Sequence, residues 1–98
     1  MAVTSREAVR RIREHLHTIR GFGVKRLGLF GSVARDQNIE ASDVDVLVEF
    51  ETTATFDRYM DLKFFLEDLL DAKVDLVTRA ALRDFTRESV ERDLVHVA

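Results

Sequence analysis

Apolar side chains recur at two different spacings along the chain, and each spacing predicts one type of element. Spacings of three and four residues predict helices over residues 4–20, 55–71 and 79–93. Alternating apolar and polar residues predict strands over residues 24–30, 43–50 and 73–78, with a short edge strand over 95–97. Because helices and strands alternate, we expect a mixed α/β (α+β) fold in which helices cover one side of a small mixed β-sheet.

The first predicted helix has a signal at each end. Its inward face consists of Val9, Ile12, Leu16 and Ile19. Thr4 and Glu7 have the spacing of a capping box, in which Thr4 accepts a hydrogen bond from a free amide of the first turn. Gly21 and Gly23 end the helix, since glycine adopts left-handed dihedrals at little cost.

The predicted strands have two chemically different faces, because successive side chains alternate across a strand. In the first strand, Leu27 and Leu29 share one face and Val24 lies on the other. Asp43 and Asp45 open the second strand on a face that also carries Leu47 and Glu49. The other face is apolar and consists of Val44, Val46, Val48 and Phe50. We therefore expect the second strand to bury one face and to present carboxylates on the other.

The predicted helix over 55–71 contains more large apolar residues than one buried face requires. Its core stripe is predicted to be Leu62, Leu66, Leu69 and Leu70. Met60 and Phe64 lie off the edge of this stripe. They are expected either to form a surface for a partner protein or to pack under a neighbouring loop.

Length and composition limit the class of protein. The chain has 98 residues, of which 46% are hydrophobic, and this predicts one small globular domain over residues 1–98. The absence of cysteine excludes disulfides, zinc–thiolate sites and a cysteine nucleophile. No apolar run approaches the ~20 residues that span a bilayer, and the N-terminus lacks a secretion signal. We therefore expect a cytoplasmic protein without a membrane partner.

Charge is distributed unevenly along the chain, although the net charge is only −3. Residues 1–35 contain eight basic residues (Lys and Arg) and two acidic ones (Asp and Glu). Residues 36–75 contain three basic residues and twelve acidic ones. The basic residues Arg6, Arg10, Arg13 and Arg20 fit a solvated helix face, or a surface for nucleic acid or an acidic partner. Because the acidic middle of the chain opposes it, direct nucleic-acid binding is not expected.

Gly31 and Ser32 follow the first predicted strand and suit a phosphate group. Without a Cβ atom, Gly31 lets the backbone approach an anion closely. Free amides of the following turn and the Ser32 hydroxyl can donate hydrogen bonds to phosphate oxygens, and Arg35 can pair with them one turn later. A plain turn followed by a helix cap is the alternative explanation.

Three aspartates supply the other half of the predicted site. Ten residues separate Ser32 from Asp43, which shares a strand face with Asp45, so the two carboxylates can converge on one Mg²⁺. Asp75 interrupts the third strand and would join them if that strand lay beside the second in the same direction. Three carboxylates can hold two Mg²⁺ ions, and Asp75 can accept a proton from an attacking hydroxyl. Solvated aspartates at strand ends are the alternative.

The arrangement of Gly31-Ser32, ten residues, and Asp43-x-Asp45 closely resembles the signature of the DNA polymerase β-like nucleotidyltransferase superfamily. The longer segments LFGSVAR, SDVDVLVEF and KVDLVT are similar to those of the minimal nucleotidyltransferases, the MNT branch, and the resemblance spans nearly the whole chain. It implies that Gly31, Ser32 and Arg35 bind the nucleotide phosphates. It also implies that Asp43, Asp45 and Asp75 are the catalytic, Mg²⁺-ligating acids.

The resemblance further implies a partner and a reaction. Many MNT proteins are antitoxins paired with a HEPN-domain ribonuclease toxin, which they neutralise by transferring AMP from ATP to a tyrosine hydroxyl. We therefore expect a Mg²⁺-dependent adenylyltransferase that forms a hetero-oligomer with such a toxin. The alternative is a non-catalytic antitoxin that masks its toxin by direct binding through Met60, Phe64 and the basic first helix.

Overall fold

The computed structural model describes residues 4–31, 44–81 and 94–97. Helices are α1 (Ser5–Glu14), α2 (Leu16–Arg20) and α3 (Phe56–Leu70). Strands are β1 (Val24–Phe30), β2 (Val44–Phe50), β3 (Val74–Thr78) and β4 (Val95–His96), and a 3₁₀ turn spans Arg79–Ala81. The helix predicted over 79–93 is therefore described only at its first three residues, which form that 3₁₀ turn, and the remainder lies outside the described residues.

The four strands form one mixed sheet in the order β3-β2-β1-β4. β1 pairs antiparallel with both β2 and β4, whereas β2 and β3 run parallel. The mixed sheet predicted from the sequence is confirmed. The predicted edge strand is also confirmed, since Val95 pairs with Leu29 at the outer side of β1.

The first helix differs from its prediction, because it is interrupted at His15. The His15 amide donates to the Ile12 carbonyl at 3.0 Å. This bond spans three residues instead of the four of an α-helix, so the turn is tighter. The Arg11 carbonyl, which that amide would otherwise reach, instead lies 3.0 Å from Nδ1 of the His15 ring. The predicted cap at the start of α1 is confirmed, since the Thr4 hydroxyl accepts from the Glu7 amide at 3.1 Å.

A register shift in β1 corrects the predicted position of Val24. The pairing of β1 with β2 is irregular between Val24 and Arg26. Such a bulge changes the face to which the preceding residue points. Val24 therefore lies in the core together with Leu27 and Leu29, instead of on the opposite face.

The core lies between one face of the sheet and the helices. Val46, Val48 and Leu76 from the strands are buried against α1, α2 and α3. The helices contribute Ala8, Ile12, Ile19, Leu62, Leu66 and Leu70, all at most 1% exposed. Leu69, predicted to belong to the core stripe, is only partly buried at its margin. Since β2 and β3 alternate, Asp45 and Asp75 point from the opposite face of the sheet.

Side chains of α3 also cover the outer edge of β3. The Glu67 carboxylate accepts from the Val74 amide at 3.1 Å, and the Tyr59 hydroxyl donates to the Leu76 carbonyl. An uncovered edge strand presents free backbone groups to other chains. These two bonds satisfy backbone groups of β3 and hold the strand in place beside β2.

Among the helices that the structure describes, none is both long and apolar enough to cross a membrane.

Candidate active site

Gly31 lies directly against the carboxylate of Asp45. Its φ angle is +72°, a left-handed conformation that side-chain-bearing residues rarely adopt. A Cβ atom at this position would lie 3.0 Å from the Asp45 carboxyl carbon and closer still to one carboxylate oxygen. Glycine is therefore required here both by the backbone conformation and by the close approach of the acid.

The pairing of β1 with β2 explains how this contact arises. Phe30, the last residue of β1, is the register partner of Asp45. The chain leaves β1 at Gly31, so the bend forms immediately beside the Asp45 side chain. The predicted proximity of the glycine bend to the acidic strand is thus a direct result of the antiparallel register.

Asp45 and Asp75 are register partners in the parallel ladder of β2 and β3. Neighbouring strands lie about 4.8 Å apart, and paired residues project from the same face of a sheet. Asp45 is half-buried beside Gly31, and Asp75 is exposed to solvent. The structure therefore brings together Gly31, Asp45 and Asp75 at the end of the sheet where β2 and β3 begin.

The other predicted site residues are Ser32, Arg35 and Asp43, and they lie outside the described residues. Within the described part of the chain, no group of three or more metal-ligating side chains converges. Asp45 and Asp75 do provide two neighbouring carboxylates, and hard oxygen ligands of this kind suit Mg²⁺. Their roles in binding and catalysis remain predictions.

The charge of Asp75 also acts on Tyr59, a relationship that the sequence did not indicate. The pKa of the Tyr59 phenol is raised, first by burial and second by the negative charge of Asp75. The two residues belong to α3 and β3, which are separate in sequence and meet along the sheet edge. No local pattern could reveal this coupling, because it depends on how α3 packs against β3.

A cleft of about 870 Å³ opens at the opposite ends of β2 and β3. It lies between the loop that follows β2 and the 3₁₀ turn that follows β3, and Phe56 and Tyr59 of α3 contribute aromatic walls. Val77 and Arg79 line it from the β3 side. Sequence reasoning missed this feature, since the two segments that form it, residues 48–59 and 76–81, are distant along the chain.

Comparison with known proteins agrees with this fold. Residues 9–97 match the nucleotidyltransferase domain family. The protein adenylyltransferase MntA of Thermococcus cleftensis is 41% identical over 76 residues, which is 78% of this chain and 77% of that protein. A solved structure, provisionally described as a minimal nucleotidyltransferase, is 37% identical, covers 95% of both chains and superposes with a TM-score of 0.79.

The chain therefore belongs to the nucleotidyltransferase family, within its minimal branch. A more distant solved structure shares the fold alone. It is described as a tri-AMPylated HEPN toxin of Shewanella oneidensis in complex with an MNT antitoxin. That chain is 19% identical, covers 92% of this chain and 71% of its own length, and has a TM-score of 0.66.

Proposed function

We propose that this chain transfers AMP from ATP to a tyrosine hydroxyl of a HEPN-domain ribonuclease toxin and thereby neutralises the toxin. The family match supports nucleotidyl transfer, and relatives of similar length are named protein adenylyltransferases. The observation that carries the proposal is the convergence of Gly31, Asp45 and Asp75 on one end of the sheet. Phosphate binding and metal-ligating chemistry would meet at that point.

The bend at Gly31 has a defined role in this proposal. Its left-handed backbone and missing Cβ let the Asp45 carboxylate lie directly against the bend. A phosphate bound to the backbone of the bend would therefore lie beside that acid. The Ser32 hydroxyl and the Arg35 guanidinium would donate hydrogen bonds to the β and γ phosphates of ATP. The α-phosphorus is then held near the acids, so that binding also orients the reacting group.

The three acids would hold magnesium and manage one proton. Asp43, Asp45 and Asp75 would ligate two Mg²⁺ ions, which would supply positive charge to the phosphate oxygens and the leaving group. Asp75 is exposed and thus accessible to an incoming protein side chain. In the proposed reaction the tyrosine oxygen forms a bond to the α-phosphorus, and the bond to the β-phosphate oxygen breaks. Asp75 accepts the phenolic proton, and pyrophosphate leaves.

The test is intact-mass analysis of a purified HEPN partner after incubation with ATP, Mg²⁺ and this chain. Wild-type chain is expected to add one or more AMP groups to the partner. Asp45→Asn and Asp75→Asn should lower the rate by at least about 100-fold, because each removes a proposed metal ligand. Asp71→Asn is the matched control, since this left-handed helix cap tolerates asparagine and lies outside the proposed site. Equal rates for wild type and both site variants would overturn the catalytic assignment.

Masking without catalysis is the second candidate. Phe56 and Phe64 are exposed on α3, and such side chains favour binding to another protein. The same experiment separates the two candidates. Inhibition of the toxin in the absence of any AMP adduct would support masking, whereas inhibition that requires ATP and Asp45 would support transfer.

A further inference from the structure

The outward face of α3 carries an exposed apolar ridge. Phe56 is 75% exposed and Phe64 is 54% exposed, and these are the exposed large hydrophobic side chains of the described residues. Met60 lies between them and is half-buried. The spacing of four residues places all three along one side of the helix over about 12 Å. We call Phe56, Met60 and Phe64 the α3 ridge.

An acidic row runs beside the α3 ridge. Asp57, Asp61 and Asp68 are exposed and lie on the same outward side of the helix, at spacings of four and seven residues. Among the residues that the structure describes, the ion pairs involve Glu7, Glu14 and Glu49, and none involves this row. Within residues 4–31, 44–81 and 94–97, no cation therefore pairs with these three negative charges, which lie next to an apolar surface.

We propose that the α3 ridge and the acidic row together form a docking surface for an amphipathic helix of a different protein. The apolar side of that helix would cover Phe56, Met60 and Phe64. Lys or Arg side chains along its edge would pair with the aspartates. A helix of this kind matches the surface in both shape and charge, since helices bind through apolar positions at spacings of three and four. This inference rests on the proposed function in taking the toxin as the partner.

A second copy of this chain fits the surface poorly. Two α3 faces placed together would bring the acidic rows close to one another, and like charges at an interface oppose binding. The exposed side of α1 offers Arg6 and Arg13 as cations. However, the exposed large hydrophobics of the described residues all belong to α3, so α1 has no apolar counterpart for the ridge. The occupant is therefore a chain with its own apolar helix face.

The position of the ridge connects docking with the proposed chemistry. Phe56 belongs to the ridge and also lines the cleft at the ends of β2 and β3. Arg79, on the opposite wall of the cleft, follows Asp75 by four residues, or about 13 Å along an extended strand. A helix bound along α3 would thus end beside the cleft, from which a following segment can extend along β3 towards the exposed Asp75.

The test measures complex formation with the purified HEPN partner in the absence of ATP. Phe64→Ser and the double variant Asp61→Lys with Asp68→Lys should each weaken binding by at least about tenfold. The affinity of wild type should fall as salt is raised, and the double variant should lose this dependence. Asp61→Lys alone is also measured, with Glu14→Lys as its control, because each replaces one exposed acid by lysine and so makes the same charge change. Among the described ion pairs, Glu14→Lys breaks only the one with Arg10 on α1. Circular dichroism of each variant checks that the fold is retained.

Each outcome decides between the two proposals. Binding that depends on Phe64 and the aspartates supports the docking surface, even if no AMP is ever transferred. Unchanged affinity in both α3 variants overturns the docking surface while leaving AMP transfer intact. Equal weakening by Glu14→Lys also overturns it, since it would show an effect of net charge alone. A wild-type chain that forms no complex contradicts both proposals.

Discussion

Asp45 and Asp75 are paired across the parallel ladder of β2 and β3, although their positions in the sequence are 30 apart. Their carboxylates leave the sheet on the face that is free of the described helices, and Asp45 is held there against Gly31. Two neighbouring carboxylates repel each other unless a cation or a proton neutralises one of them. A divalent ion bound by this pair should therefore stabilise the folded chain.

Magnesium with ATP is expected to stabilise the wild-type chain and to stabilise neither Asp45→Asn nor Asp75→Asn. A ligand that binds only the folded state adds about 2.7 kcal/mol at a concentration of 100 Kd. Thermal unfolding with and without Mg²⁺ and ATP measures this effect, and Asp71→Asn should retain it. If Asp75→Asn kept the full wild-type increase in Tm, Asp75 would not be a ligand.

Gly31→Ala should destabilise the chain for two separable reasons. A left-handed backbone costs about 1–2 kcal/mol with a side chain present, and the new Cβ also meets the Asp45 carboxylate. In the double variant of Gly31→Ala with Asp45→Ala, the contact with the carboxylate is removed, but the free-energy cost of the left-handed backbone remains. Urea unfolding of the single and double variants should therefore show a coupling of about 0.5–3 kcal/mol. Strict additivity would contradict the contact.

Tyr59 should make the stability of the chain fall at alkaline pH. Its pKa is raised by burial and by Asp75, so the folded state favours the neutral phenol. This contribution is complete below the unfolded pKa of about 10 and is lost as pH rises through the raised folded pKa. Tyr59→Phe should abolish the alkaline loss, while costing about 1 kcal/mol at neutral pH through the missing bond to Leu76.

Neutralising Asp75 should lower the pKa of Tyr59 part of the way towards its ordinary value, because burial remains. Since Tyr59 is the single tyrosine of the chain and tryptophan is absent, phenolate absorbance reports its titration directly. The measurement is made on Asp75→Asn in the presence of EDTA, with Asp71→Asn as control. An identical titration curve for wild type and Asp75→Asn would show that the two groups do not interact.

Leu66→Ala should destabilise the chain much more than Leu69→Ala. Leu66 is fully buried between α3 and the sheet, whereas Leu69 is only partly buried at the margin of the core. Removal of a buried leucine side chain costs about 2–5 kcal/mol, and less where solvent or neighbouring groups can fill the space. Urea unfolding of both variants checks the order, and equal losses would contradict the assignment of the core face.

Local sequence patterns were sufficient to place the helices and strands that the structure describes. The alternation in β2 and β3 predicted the residues of the core face, and Thr4 predicted the cap of α1. Leu47 is an exception, since it is buried although it lies on the face of Asp45. Two details escaped these patterns. The break at His15 arises from local bonds to Ile12 and Arg11, which the spacing of apolar residues does not show. The bulge that turns Val24 into the core arises from pairing with β2, a segment outside the window of the pattern.

The sequence by itself determined the residue types of the site, their spacing and the strands that carry them. Gly31, Asp45 and Asp75 were identifiable because a bend residue and acids at strand starts are local features. Only the tertiary structure decided that β3 lies parallel to β2 with Asp75 opposite Asp45, and that Gly31 contacts the Asp45 carboxylate. Strand order and register arise from packing between distant segments, and that packing free energy belongs to no single stretch of the chain.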